Sequence, residues 1–228
     1  GSRGLGDVYK RQDKYWIAEG SKGLRSIQRK GSNSFEALNE PIILDGPYSN
    51  SAFDIVCKND KVYMIIGGKD LLNGKRFDKG GYILTYDYDK WSFIDPKEAQ
   101  KKLNLPRNPR DYTSIAVTTD DSNDEIVYAS SMGDGVIQYK NGTPVQSYNE
   151  KNAFKETAGG YGSGYCYIDG LAFDKNGNLW MTSSEVNHAV LVLDKAGAWH
   201  RLDIEQLRGV YTINDILITS TNDKWIYV

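Results

Sequence analysis

One unit recurs along the whole chain: an apolar strand, a short polar turn, and a second strand built around an aromatic residue. The clearest copies run from Ala52 to Ile65 and from Ile168 to Thr182, and further copies begin at Tyr112 and Thr212. The aromatic residues of the second strand recur at intervals of 47, 65, 52 and 45 residues: Trp16, Tyr63, Tyr128, Trp180 and Trp225. Self-similarity at roughly 40 to 50 residues is typical of four-stranded propeller blades.

Two further strand signals follow each aromatic strand, for example 135–139 and 145–148. The dipeptide Asn141-Gly142 joins this pair and is a strong hairpin signal. A β-sandwich also contains short strands, but its strand order does not return at a near-constant spacing. The sequence therefore predicts an all-β fold, a β-propeller fragment of about four to five antiparallel four-stranded blades that form an incomplete ring.

An inserted helix explains the longest interval. Asp95 is suited to cap a helix, Pro96 to occupy its first position, and the residues up to Leu103 are good helix formers. We expect a short helix there, between two blades.

The domain boundaries are predicted from the two ends of the sequence. Residues 1–12 have no apolar periodicity and no starting methionine, which is typical of a non-native, adapter-like leader. Residues 13–228 are predicted to form a partial propeller truncated at both ends, because Val228 lies within an apolar strand.

Net charge, cysteine spacing and the lengths of the apolar segments disfavour several classes of function. A net charge of −2 does not favour binding to nucleic acid or to anionic lipid, and the basic run from Lys97 to Arg110 is interpreted as a solvated helix and loop. Cys57 and Cys166 lie 109 residues apart and suggest neither a disulfide framework nor a metal site. No apolar segment is long enough to predict a transmembrane span.

Polar residues at the starts of the inner strands are the first candidate site. Asp54, Asp169 and Asp215 are assigned to the same register, with Ser114 at the matching place of the remaining strand. Such residues can ring the mouth of a central channel and bind a ligand or a cation through oxygen. The favoured interpretation is that they cap turns or hydrate the channel.

The segment from Gly159 to Tyr165 is the second candidate. It precedes a strand, so it does not match a phosphate-binding loop, but its composition suits a recognition loop with Tyr161 and Tyr165 as ligand-binding residues. His188 and His200 have no partner at metal or triad spacing. We predict no catalytic residue, no metal, no cofactor and no enzymatic activity.

A family resemblance adds to this interpretation. The chain resembles two-component-regulator propellers, and within that group it is most similar to PorZ-like proteins of the type IX secretion system. The likeness covers most of residues 14–228 and is most specific from 165 to 194. The matching segments are Asp169–Met181, Ser184–Asn187, Val192–Leu193, Ala198–Trp199, Gly46–Asn50, Asp111–Ala116 and Gly133–Tyr139.

The resemblance implies an exported scaffold at the cell surface, associated with the outer membrane, in the attachment complex of that secretion system. Its implied partners are a sortase-like component and anionic lipopolysaccharide. The first alternative is the periplasmic, ligand-sensing propeller of a hybrid two-component regulator. A second alternative, a metal-dependent propeller lactonase or lyase, requires a channel cluster of which only Asp54, Asp169 and Asp215 are present.

Overall fold

The computed structural model describes residues 10–11, 14–18, 24–40, 42, 46–49, 51–154 and 164–228. The chain divides into two compact units, Gly1–Gly46 and Pro47–Val228. The first unit contains one antiparallel sheet, with its strands side by side in chain order. Its strands are β1 (Lys10–Arg11), β2 (Lys14–Ala18), β3 (Leu24–Arg29) and β4 (Phe35–Ala37).

The predicted aromatic strand around Trp16 is β2 of this sheet. The short strand β1 pairs with β2, so two residues of the predicted leader take part in the sheet. The rest of that leader, apart from these two residues, lies outside the described part of the chain.

The second unit repeats the four-stranded pattern three times and then adds a two-stranded hairpin. Every pairing between consecutive strands of a blade is antiparallel. The first blade is β5 (Ala52–Lys58), β6 (Lys61–Ile66), β7 (Ile83–Asp87) and β8 (Lys90–Ile94). The second is β9 (Tyr112–Thr119), β10 (Glu125–Gly133), β11 (Gly135–Lys140) and β12 (Thr143–Tyr148). The third is β13 (Cys166–Phe173), β14 (Leu179–Ser183), β15 (Val190–Leu193) and β16 (Trp199–Leu202), and the hairpin is β17 (Asp215–Ile218) and β18 (Lys224–Tyr227).

The first strands of successive blades lie next to one another. Strand β9 contacts both β5 and β13, and β13 contacts β17. This radial order is that of a propeller and confirms the predicted all-β propeller fold. The long strand β10 also reaches the next blade, where Met132 pairs with Tyr167 and joins the second and third blades into one sheet.

The core lies between the faces of stacked blades. Tyr63, Tyr112 and Tyr139 are buried together between the first and second blades, and the hydroxyl oxygens of Tyr112 and Tyr139 lie 2.6 Å apart. Leu179 and Met181 belong to a second cluster between the next pair of blades. Burying each sheet on both sides stabilises the stack by roughly 25 cal/mol per Å² of apolar surface removed from water.

The predicted hairpin and helix are both present. Asn141 and Gly142 have φ values of 48° and 74°, as a type I′ turn requires. Helix α1 spans Pro96–Leu103, and the Asp95 side chain accepts a hydrogen bond from the Lys97 amide at 2.9 Å. A short 3-10 helix, Glu205–Leu207, lies between β16 and β17.

Alternating strand directions place the loops that follow the second and fourth strands of each blade at one end of the blades. We call this end of the second unit the upper face. Among the described residues, it carries the loops of 67–82, 95–111, 149–154, 164–165, 184–189 and 203–214 and the turn at 134. Within the described residues, the helices lack the length and apolarity needed to cross a membrane.

Candidate functional site

The strand pairings correct the predicted register of the inner strands. The aromatic residues of the second strands pair with equivalent positions of the first strands, which are Val56, Ala116, Ala172 and Leu217. The residues two positions before these in the sequence are Asp54, Ser114, Gly170 and Asp215. The assignment of Asp169 to this register is therefore wrong by one residue, since Gly170 and not Asp169 lies two positions before Ala172.

Side chains at the position shared by these strands form hydrogen bonds between neighbouring blades. The Asp54 carboxylate accepts hydrogen bonds from the Ser114 hydroxyl at 3.2 Å and the Ile115 amide at 3.1 Å. The Ser114 oxygen in turn accepts from the Leu171 amide at 3.2 Å. These contacts stabilise the inner ring, and binding of a ligand there remains a prediction.

Glycine is required at position 170 because the next blade approaches closely. A Cβ atom on Gly170 would lie 2.6 Å from an Asp215 carboxylate oxygen and 2.6 Å from the Ile216 amide nitrogen. The Asp215 carboxylate accepts a hydrogen bond from that amide at 2.8 Å. Burial raises the pKa of Asp215, and the negative charges of Asp54 and Asp169 raise it further.

Asp169 instead belongs to a buried ion pair. Its carboxylate accepts hydrogen bonds from the Lys69 ammonium and, at 2.7 Å, from the Ser184 hydroxyl. Lys69 also donates to the Ile213 carbonyl oxygen at 2.6 Å, so one side chain ties together the first blade, the third blade and the segment before β17. Burial raises the pKa of the Asp169 carboxyl, while the Lys69 ammonium opposes the rise.

Lys69 supplies the positive charge that balances one of the inner carboxylates, that of Asp169. A buried carboxylate needs a cation or several hydrogen-bond donors, and here a protein ammonium supplies the charge. The sequence offered no signal for this pairing, since 100 residues separate Lys69 and Asp169. Among the residues that the structure describes, His, Cys, Asp and Glu form no group of three or more suited to a metal ion.

Tyr165, the described member of the predicted recognition loop, lies on the upper face between two arginines. The guanidinium carbons of Arg107 and Arg76 lie 5.2 Å and 5.9 Å from the centroid of its ring. Arg107 also donates to Asp134 at 2.7 Å. Tyr161, the other candidate, lies outside the described residues.

The two arginines converge on one point. A Cβ atom placed on Gly133 would lie 3.3 Å from Arg76 Nη1 and 3.8 Å from Arg107 Nη2. We call these two residues the arginine pair. Arg110 adds a third guanidinium at the edge, where its nearest acidic atom, on Asp78, is 3.9 Å away. Guanidinium groups that converge in this way favour an anion between them.

A depression of about 530 Å³ opens beside Tyr165 on this face. It is lined by residues from loops of the first and third blades and from the segment before β17: Asn73, Gly74, Lys75, Arg76, Asp78, Tyr165, Tyr167, Glu185 and Tyr211. A second depression, of about 280 Å³, lies on the Arg107 side of Tyr165. Volumes of this size suit one or two sugar rings.

Glu185 occupies the wall of the larger depression in an uncommon backbone conformation. Its φ of 61° lies in the left-handed region, and its amide donates to the Val210 carbonyl oxygen at 2.8 Å. Burial raises the pKa of the Glu185 carboxyl, and the nearby Asp169 adds to the rise.

Tyr165 is a candidate from the sequence alone, its neighbours are not, and ligand binding by Tyr165 stays a prediction. The basic run was interpreted as solvated, which suits the exposed lysines of α1, but Arg107 is half-buried and bound to Asp134. Arg76 and Glu185 come from two other blades and carry no local signal. The only indication in the sequence that these residues share a surface is that each lies in a predicted loop at the same end of its blade.

Acidic residues at the opposite end of the blades close turns. Asp174 accepts hydrogen bonds from the Asn176 and Asn178 amides at 2.9 Å each and from the Trp180 ring nitrogen at 3.0 Å. Asp194 accepts from His200 at 2.7 Å in a comparable turn. These contacts explain the side chains without a ligand.

The fold and the loop surface define the chain as part of a β-propeller domain with a candidate binding face. Neither a protein-family model nor a curated protein matches the sequence. Solved structures do match its fold, and the comparison confirms the predicted likeness to PorZ-like and two-component-regulator propellers.

One similar structure is PorZ of Porphyromonas gingivalis, described as an essential bacterial surface component of the type IX secretion system. It has a TM-score of 0.69 and 22% identity over 94% of this chain and 28% of PorZ. Another is the extracellular domain of BT4673 of B. thetaiotaomicron, described as a one-component system in one structure and as a hybrid two-component system in another. The first of these has a TM-score of 0.50 and 17% identity over 97% of this chain and 25% of that one. Sqt1 of Saccharomyces cerevisiae has a TM-score of 0.51 and 10% identity over 93% of this chain and 52% of Sqt1. The chain thus spans about a quarter of the length of PorZ and BT4673.

Proposed function

We propose that this chain is part of an exported, surface-located propeller that serves a type IX secretion attachment complex as a non-enzymatic binding component. Its ligand is an anionic glycan such as lipopolysaccharide, and its protein partner is a sortase-like component. The fold likeness to PorZ supports this assignment.

The convergence of Arg76 and Arg107 around Tyr165 is the observation that carries the glycan assignment. A guanidinium group matches a carboxylate or phosphate in a two-point hydrogen bond. An anion held between the pair relieves the repulsion between two like charges, and the exposed Tyr211 ring beside it offers an apolar face to a sugar.

Binding of lipopolysaccharide with phosphorylated side chains, before and after enzymatic dephosphorylation, tests the proposal. We expect the 228-residue chain to bind the phosphorylated form at least tenfold more tightly, and the Arg76→Gln and Arg107→Gln variants to lose that preference. Surface plasmon resonance with immobilised glycan gives the comparison directly.

Lys195→Gln is the matched control, because Lys195 is an exposed cation at the opposite end of the blades, with 71% of its side chain accessible. Its affinity for the glycan should equal that of the unaltered chain. Equal binding of both lipopolysaccharide forms by the unaltered chain would refute the anionic-glycan assignment.

The second candidate function is a ligand-sensing propeller of a two-component regulator, in the periplasm. Its support is the fold likeness to the extracellular domain of BT4673. Reading the complete gene separates the two: a membrane helix followed by kinase modules favours the sensor, and a terminal β-sandwich without that helix favours the secretion complex.

The buried Lys69–Asp169 pair supports binding over metal-dependent lactonase chemistry. One of the three carboxylates predicted for a metal cluster already has an ammonium partner within the protein. Metal analysis of the purified chain tests this point, and stoichiometric calcium or zinc would reopen the enzymatic alternative.

A further inference from the structure

The carboxylate of Glu185 stands out on the upper face because it has no hydrogen-bond or ion-pair partner among the residues that the structure describes. It is half-buried in the wall of the larger depression. An ionised carboxylate taken partly out of water is unfavourable unless a donor or cation meets it. Its surroundings therefore favour a ligand that supplies one.

The Glu185 side chain is presented by a fixed backbone. The preceding residue, Ser184, is fully buried and hydrogen-bonds to both Asp169 and, at 2.8 Å, the Ile213 amide. The Glu185 amide is held by the Val210 carbonyl oxygen. These contacts fix the backbone from which the Glu185 side chain extends, which lowers the entropic cost of placing its carboxylate against a ligand.

Arg76 lines the same depression but does not neutralise Glu185. Its guanidinium lies 3.5 Å from Asp78 and over the Tyr165 ring, and no ion pair joins it to Glu185. Within the described residues, the lining of one cavity therefore presents two cationic side chains, Lys75 and Arg76, and a Glu185 carboxylate that forms an ion pair with neither of them. Tyr211, 58% exposed, stands between loops of this cavity as an apolar wall.

We propose that this depression binds a glycan unit that carries an amino group as well as an anionic group, with the anion at Arg76 and the ammonium at Glu185. The inference rests on the proposed glycan-binding function and adds the class of sugar. The hydroxyl groups of a neutral or purely anionic sugar can donate to Glu185 but carry no positive charge, and an N-acetylated amine is uncharged as well.

Three small probes test the idea by isothermal titration calorimetry: glucosamine phosphate, glucose phosphate and N-acetylglucosamine phosphate. We expect the amine-bearing probe to bind about tenfold more tightly than the other two, the effect of one charge-assisted contact. Glu185→Gln should abolish that preference, so that the three probes bind the variant with equal affinity.

Glu205→Gln provides the control, because Glu205 is an exposed carboxylate on the same face that does not line the depression. It should retain the preference for the amine. Circular dichroism of each variant checks that the fold is intact.

Equal affinities of the unaltered chain for the three probes would overturn the inference, as would a preference that survives Glu185→Gln. If all three bind alike and all weaken in Arg76→Gln, the anion site stands and only the amino-sugar assignment fails. If none binds but phosphorylated lipopolysaccharide still does, the inference fails and the proposed function does not.

Discussion

At the scale of single residues, the Lys69–Asp169 pair joins parts of the chain that are distant in sequence. Both side chains are almost completely buried, at 1% and 0% accessibility. A buried pair contributes little relative to apolar residues of the same size, but breaking it leaves one charge without a partner. The pair is therefore more important for holding the blades in one arrangement than for its net free energy.

Replacing Lys69 with methionine should lower the free energy of unfolding by about 3 to 5 kcal/mol, because Asp169 is left buried and uncompensated. Urea denaturation followed by tryptophan fluorescence measures the change. Adding Asp169→Asn to Lys69→Met should recover part of the lost free energy of unfolding. The free energy of unfolding of the Lys195→Met control should stay within about 0.5 kcal/mol of that of the unaltered chain. Equal stability of Lys69→Met and the unaltered chain would contradict the role assigned to the pair.

Asp174 should contribute to stability in a pH-dependent way. Its burial favours the neutral form, but hydrogen bonds from Asn178 and Trp180 outweigh that effect and hold the pKa below its usual value. A carboxyl whose pKa is lower in the folded state contributes stability above its unfolded pKa of about 3.9, and the contribution is lost as the pH falls through the folded pKa.

The Asp174→Asn variant should therefore lose less stability than the unaltered chain on acidification from neutral pH. Urea titrations at a series of pH values give the comparison. Asp121→Asn serves as the control, since 96% of the Asp121 side chain is accessible. Parallel stability curves for the unaltered chain and Asp174→Asn would argue against the assigned hydrogen-bond network.

At the scale of elements, helix α1 shows how a local signal becomes packing. Asp95 caps its first turn, Asn104 ends it in the left-handed conformation with a φ of 52°, and Ala99 is fully buried in the core between blades. Each of these features is a short-range preference, which is why sequence analysis placed the helix correctly.

Removing the cap in Asp95→Ala should cost about 1 kcal/mol of unfolding free energy, since the Lys97 amide loses its acceptor. Thermal denaturation followed by circular dichroism measures it. Asp121→Ala is a suitable comparison and should be close to neutral. A cost for Asp95→Ala no larger than for Asp121→Ala would mean that the cap adds nothing.

At the scale of the whole molecule, the hairpin β17–β18 presents large apolar side chains to solvent. Leu217, Trp225 and Tyr227 are 65%, 66% and 65% exposed. The aromatic residues equivalent to Trp225 in the other blades of the second unit, Tyr63, Tyr128 and Trp180, are buried or half-buried. An apolar sheet face with free edges is an association surface.

We expect the 228-residue chain to self-associate with increasing concentration and to unfold over a broad range. Analytical ultracentrifugation should show smaller species after Trp225→Glu and Tyr227→Lys are combined. Tyr88→Glu, at a turn with 84% exposure, should leave association unchanged. A monomer with one sharp thermal transition would contradict this prediction.

Local patterns accounted for most of the fold. The aromatic strands, the Asn141-Gly142 turn and helix α1 each depend on neighbours in sequence, and all three were predicted at their observed places. The site was predicted only in part. Tyr165 is a candidate from its loop composition, and ligand binding by it stays a prediction, whereas the predicted register of Asp169 is one residue away from the observed one.

The amino-acid sequence by itself determined the repeat, the strand order within a blade and the class of fold, because apolar alternation and turn chemistry act over a few residues. Only the tertiary structure decided which side chains meet. The Lys69–Asp169 pair, the convergence of Arg76 and Arg107, and the place of Glu185 in the wall of the larger depression all depend on stacking blades that are far apart in the chain. Periodicity fixes how each blade forms, but contacts between blades depend on the exact rotation and bulges of each sheet, which no local pattern encodes.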